Sequence, residues 1–188
     1  MKLIGLTIAA LAMVSSVVPA FAGGAEAGGI GYCSWCHGEA GEGYATAPRL
    51  AGQGAQYIES QLLSFQKHTR AGQFMWHATV DLSTQAAHDI AVHFSTIHPV
   101  AAADGDTAIA RAGKTVYQDG IPDSNIAACA PCHGPNAKGL GEIPRVGGLS
   151  RGYLKARPDQ WAHGNDADST APMPKIASKL LATQHIAP

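Results

Sequence analysis

Two copies of Cys-x-x-Cys-His, Cys33-Ser34-Trp35-Cys36-His37 and Cys129-Ala130-Pro131-Cys132-His133, use all four cysteines of the 188-residue chain. Covalent haem attachment requires this spacing: two thiols add across the vinyl groups of the porphyrin, and the histidine beside the second thiol takes the iron from one face. Other uses of paired cysteines fit less well. A thioredoxin-like redox pair follows a strand in a βαβ unit, whereas glycine-rich sequence and a helical pattern precede these motifs. Zinc knuckles lie about 15–20 residues apart, and these motifs are separated by 96. A plain disulfide leaves both adjacent histidines without a purpose.

The N-terminus places Lys2 before an apolar run from Leu3 to Val18, then Pro19-Ala20-Phe21-Ala22 and Gly23. One positive charge, a short apolar stretch and an Ala-x-Ala site predict a secretory signal peptide over residues 1–22, and so an exported protein. No later segment is apolar enough to span a bilayer. Loss of Lys2 takes the formal charge from −1 to −2, which gives no reason to expect a nucleic-acid partner. Residues 23–188 suit one domain or two small ones; two of about 80 residues each would have little protein core, and a covalently held macrocycle would supply the missing apolar centre.

A shift of 96 residues superposes more than the cysteines. Gly38 meets Gly134, Gly43 meets Gly139, Pro48-Arg49 meets Pro144-Arg145, Gly52 meets Gly148 and Tyr57 meets Tyr153, without a gap. At a shift of 98, Met75 meets Met173 and Leu82 meets Leu180. The chain therefore reads as a duplicated domain. Residues 98–105, with Pro99, small side chains and Gly105, form the expected linker. It separates a first domain at 23–97 from a second at 106–188.

Helical periodicity runs through both parts. Asp106 is placed to cap a helix with Ile109, Ala112, Val116 and Tyr117 on one face. Tyr57, Ile58, Gln61, Leu62 and Phe65 mark a second helix, and Ser83 precedes a third with Ala87, Ile90, Ala91 and Phe94. No comparable strand alternation occurs, so the expected fold class is all-α with long Gly/Pro-rich loops. Pro158 falls within the second copy of the middle helix and is expected to interrupt it.

The sixth iron ligand separates carriers from catalysts. Met1 and Met13 leave with the signal peptide, so Met75 and Met173 remain for two haems, each about 40 residues after its motif histidine. Met75 and Met173 are the candidate axial ligands; His77 and His163 are the rivals, and ordinary core filling is the other use of these methionines. Pro48 and Pro144, eleven residues after His37 and His133, are candidates to accept the imidazole N–H through their carbonyls. Arg49, Arg145, Tyr57 and Tyr153 are candidates to meet haem propionates.

These residues resemble class I c-type cytochromes, and the duplicated arrangement is similar to the di-haem cytochrome c4 family over most of residues 28–182. The resemblance rests on Cys-x-x-Cys-His-Gly twice, on Pro48-Arg49-Leu50-Ala51-Gly52-Gln53, on Tyr57, and on Met75 ahead of Leu82-Ser83. It implies two tandem cytochrome c-like domains, each wrapped around a covalently bound haem c, in a soluble periplasmic protein that meets the membrane surface only through its partners. Cys33, Cys36, His37 and Met75 would hold haem 1, and Cys129, Cys132, His133 and Met173 haem 2. Single electrons would pass from a quinol-oxidising complex or a dehydrogenase to an acceptor such as a terminal oxidase.

Two alternatives stay open: an electron-accepting subunit of a dehydrogenase such as a sulfur-oxidising flavoprotein, and a haem enzyme such as a thiosulfate dehydrogenase. The absence of a cysteine outside the two motifs, and a methionine for each haem, favour an electron carrier over an enzyme. The chain departs from the family in having few residues between the cleavage site and Cys33 and few after Leu180. The helices expected near 84–95 and 107–118 are therefore expected either to pack together across the linker or to leave apolar faces for a partner.

Overall fold

Ser83 shows how local chemistry sets a boundary: its hydroxyl accepts the Ala86 N–H at 3.1 Å and caps the helix Thr84–Thr96. In the computed structural model, which describes residues 29–44, 47–98, 100, 107–163 and 172–182, the elements run as follows. The first part holds α1 (Ile30–His37), α2 (Ala55–Gln66), α3 (Gln73–Thr79) and α4 (Thr84–Thr96). The second holds α5 (Thr107–Asp119), a single 3₁₀ turn at Pro122–Ser124, α6 (Ala130–His133), α7 (Arg151–Ala162) and α8 (Met173–Ala182). Among the described residues only isolated bridges occur and no strand forms. The expected signal peptide, most of the linker and the Asp106 cap lie outside the described residues.

The core of the first half is the seam between α2 and α4. Ile58, Leu62 and Phe65 recur at spacings of four and three on α2, and Ala87, Ile90, Ala91 and Phe94 form the matching stripe on α4. Phe94 is fully buried, and the two alanines beside it let the helices approach. At the end of α2, Gln66 donates to the carbonyls of Thr79 at 3.1 Å and Leu82 at 2.7 Å, tying the α3–α4 turn to the core.

The second half repeats the frame with less to bury. Helix α7 starts and stops 96 residues after α2, and Ser150 caps it by accepting the Tyr153 N–H. Besides Pro158, only Ile126, Leu149 and Ala177 are buried apolar side chains among those described there, too few to make a core without another apolar body. Contrary to the sequence expectation, α7 runs through Pro158, which is buried. The ring removes one backbone bond near the middle of a helix whose other bonds persist, and burial of the ring against its neighbours offsets part of that loss. Of the two arrangements expected for α4 and α5, packing together does not use the apolar stripe of α4, which is spent on α2, and residues 108–115 of α5, Ile109 among them, are exposed.

Candidate functional site

Each motif ends a short helix with its histidine buried, 6% exposed at His37 and 5% at His133. The turns that follow repeat the same backbone bonds in both halves. Gly43 N–H donates to His37 O at 2.7 Å, and Gly139 N–H to His133 O at 2.9 Å. Leu50 and Ala51 donate to Gly41 O, as Val146 and Gly147 donate to Ala137 O. These turns aim a proline carbonyl back at the ring: His37 Nδ1 lies 2.7 Å from Pro48 O, and His133 Nδ1 lies 2.8 Å from Pro144 O. A carbonyl only accepts, so Nδ1 carries the proton and Nε2 keeps its lone pair for a metal. Burial holds the His37 pKa below the ordinary imidazole value, opposed in part by the bond to Pro48.

Glycine is required at the turn. Gly43 and Gly139 have φ of 80° and 76°, and a Cβ on either would fall 2.6 Å from the backbone nitrogen of Arg49 or Arg145. A side chain there would push away the peptide that holds the histidine.

The remaining site residues follow the repeat less strictly. Cys36 and Cys132 are exposed, Cys33 and Cys129 partly covered, and none is paired in a disulfide. Burial pushes the thiols of Cys33 and Cys129 up. Met75, third in α3, is half-buried and packs against the first core. Met173 opens α8 and is also half-buried, whereas His77 and His163 are exposed. His163 spends its Nδ1 proton on Asp159 O at 2.7 Å. No cluster of three or more His, Cys, Asp or Glu able to hold a bare metal ion occurs among the described residues.

Where the halves meet, tyrosines and arginines gather. Tyr57 and Tyr153, equivalent in the repeat, lie close enough for Tyr153 to influence the ionisation of Tyr57, and burial, the larger cause, raises the Tyr57 pKa above its ordinary value. Arg70 donates to Gln61 Oε1 at 2.6 Å and to Tyr153 OH at 3.2 Å, with its guanidinium 4.4 Å from the centre of the Phe65 ring. Arg157 lies 4.6 Å from the Trp161 ring, and Trp161 occupies the place of Phe65 in the repeat. Equivalent aromatic rings thus carry a guanidinium from non-equivalent sequence positions. No sequence signal singled out Arg70 or Arg157, because neither aligns with an arginine in the other copy.

Arg49 is 3% exposed, and none of its guanidinium nitrogens has a hydrogen-bond partner among the described residues. Its burial and the nearby Arg145 lower its pKa. A buried, unpaired cation calls for an anion, and a propionate carboxylate supplies one. This orphaned arginine, two rings with free Nε2 atoms beside paired thiols, and the sparse second core all fit a porphyrin in each half.

The frame is that of a c-type cytochrome with two covalently bound haem c groups. The chain is 30% identical over 190 aligned residues to cytochrome c-552 of Acidithiobacillus ferridurans, covering 95% of this chain and 82% of that one. It is 32% identical over 170 residues to cytochrome c4 of Thiocapsa roseopersicina, covering 88% and 86%. It belongs to the cytochrome c4 family, whose members are di-haem electron-transfer proteins. A thiosulfate dehydrogenase electron acceptor of Thiomonas intermedia is 32% identical over 158 residues, covering 81% and 73%. The crystal structure of reduced recombinant cytochrome c4 from Pseudomonas stutzeri matches with a TM-score of 0.77 at 28% identity, covering 84% and 90%. No protein-family model matches the chain. The sheetless helical frame and its likeness to that structure bear out the expected all-α fold of two cytochrome c-like domains.

Proposed function

We propose that the protein is a periplasmic shuttle in which Cys33, Cys36, His37 and Met75 hold haem 1 and Cys129, Cys132, His133 and Met173 hold haem 2. The observation that carries this is the matched pair of buried histidines, each with Nδ1 committed to a proline carbonyl eleven residues on. Half-burial of Met75 and Met173, against exposure of His77 and His163, supports the thioethers as the opposite ligands. The bound group supplies an iron that alternates between ferric and ferrous. The imidazole of His37 or His133 and the thioether of Met75 or Met173 would hold it, so that little would rearrange when an electron arrives. The residues 1–22 signal peptide supports export, with domains at 23–97 and 106–188 joined by 98–105. No helix among the described residues is long and apolar enough to cross a membrane.

In this reading the protein is not itself an enzyme. Its donors and acceptors are redox proteins of the quinol-oxidising, terminal-oxidase or dehydrogenase type. The relative named as a thiosulfate dehydrogenase electron acceptor favours a second reading, in which this chain takes electrons from a sulfur-oxidising dehydrogenase. Optical spectra of the oxidised holoprotein test the ligands. Met75→Ala and Met173→Ala are each expected to remove half of the far-red methionine-to-iron charge-transfer band, and no change in either overturns the assignment. Stopped-flow reduction by purified thiosulfate dehydrogenase tests the partner. Reduction no faster than that of an unrelated mono-haem cytochrome c overturns the second reading.

A further inference from the structure

One side chain joins the two proximal loops. Gln53 belongs to the Pro48–Gln53 segment of the first half, is 5% exposed, and reaches the second half at Arg145. Arg145 N–H donates to Gln53 Oε1 at 2.7 Å, and Gln53 Nε2 donates to Arg145 O at 3.0 Å. Gly54 N–H donates to the same Oε1 at 3.0 Å, holding the carboxamide from its own side.

The amide that carries the Arg145 N–H is the one that carries the Pro144 carbonyl, and that carbonyl accepts the His133 Nδ1–H at 2.8 Å. A single peptide group therefore lies in a hydrogen-bond chain from Gln53 in one half to His133 in the other. Giving up its N–H to Gln53 shifts electron density toward its oxygen, and bonds in such a chain strengthen one another by about 10–30% each. A stronger pull on Nδ1–H makes Nε2 a better donor to iron, and outer partners of this kind tune ligand basicity and orientation.

We propose that Gln53 is a positioning residue that tunes His133 across the seam and lowers the potential of haem 2 relative to haem 1. The proposal rests on the reading of His133 as an iron ligand. The device runs one way: the repeat places Leu149, a buried apolar residue, where a reciprocal glutamine would stand. The amide preceding Arg49 thus receives no carboxamide from that position.

The test uses the ¹⁵N-labelled holoprotein, fully reduced, in which the ring N–H resonances of His37 and His133 are assigned separately, followed by a redox titration. Gln53→Leu is expected to move the His133 Nδ1–H resonance upfield, leave His37 in place, and raise the potential of the step assigned to haem 2 alone. Gln53→Met, of similar length and without a carboxamide, repeats the test should the leucine variant fail to mature. Equal shifts at both histidines, or none at His133, overturn the proposal. A parent protein whose second haem lacks histidine ligation overturns the ligand reading instead.

Discussion

Arg49 offers the sharpest energetic test because the sign of its effect depends on what it faces. Its side chain is buried, and its nitrogens find no hydrogen-bond partner among the described residues. Arg145, close enough to lower its pKa, adds repulsion. If nothing anionic met this guanidinium, replacing it with an apolar side chain of similar reach would relieve an unpaired buried charge and stabilise the protein. If a haem 1 propionate meets it, Arg49→Met strands the carboxylate instead, and breaking a buried pair in this way costs about 3–5 kcal/mol. Removing a positive charge near haem 1 also favours its ferric form, so the potential of that haem falls. The assay is urea denaturation of the holoprotein followed by Soret absorbance, with spectroelectrochemistry of the same samples. Urea is chosen because an ionic denaturant screens the pair. A variant as stable as the parent or more so, with both potentials unmoved, refutes the pairing.

Two further outcomes follow from burial. Phe94→Ala empties the centre of the α2–α4 seam and is expected to destabilise the holoprotein by about 3–5 kcal/mol in the same urea titration; a loss under about 1 kcal/mol would show that this seam is not the first core. Tyr57 has its pKa raised by burial, so the folded state keeps the phenol protonated where the unfolded chain begins to ionise, above about pH 10. Stability should therefore fall as pH rises past that value, and Tyr57→Phe should flatten the fall. An alkaline limb identical in parent and variant would place the titration elsewhere.

The features legible in the amino-acid order are those made by near neighbours. The helix cap at Ser83, the apolar stripe of α4 and the return of Pro48 and Pro144 to their histidines eleven residues back all depend on short spacings, and each appears where the spacing puts it. Pro158 misled because the local rule counts the lost backbone bond and not the packing around the ring. The stripe of α4 found α2, an outcome that periodicity alone does not choose, since an amphipathic face specifies burial without naming its partner.

The chain order by itself therefore determined the duplication, the all-helical class and the covalent haem chemistry, because cysteine and histidine spacing and helical period are local properties of a polymer. Only the tertiary structure brought Gln53 to Arg145, Arg70 to Tyr153 and Tyr57 to Tyr153. These contacts join residues far apart in sequence, and their partners are set by how two folded halves meet. The same physics placed a guanidinium over an equivalent ring in each half from unrelated positions: packing selects the charge and the space it fills, and the chain delivers that charge from whichever residue can reach.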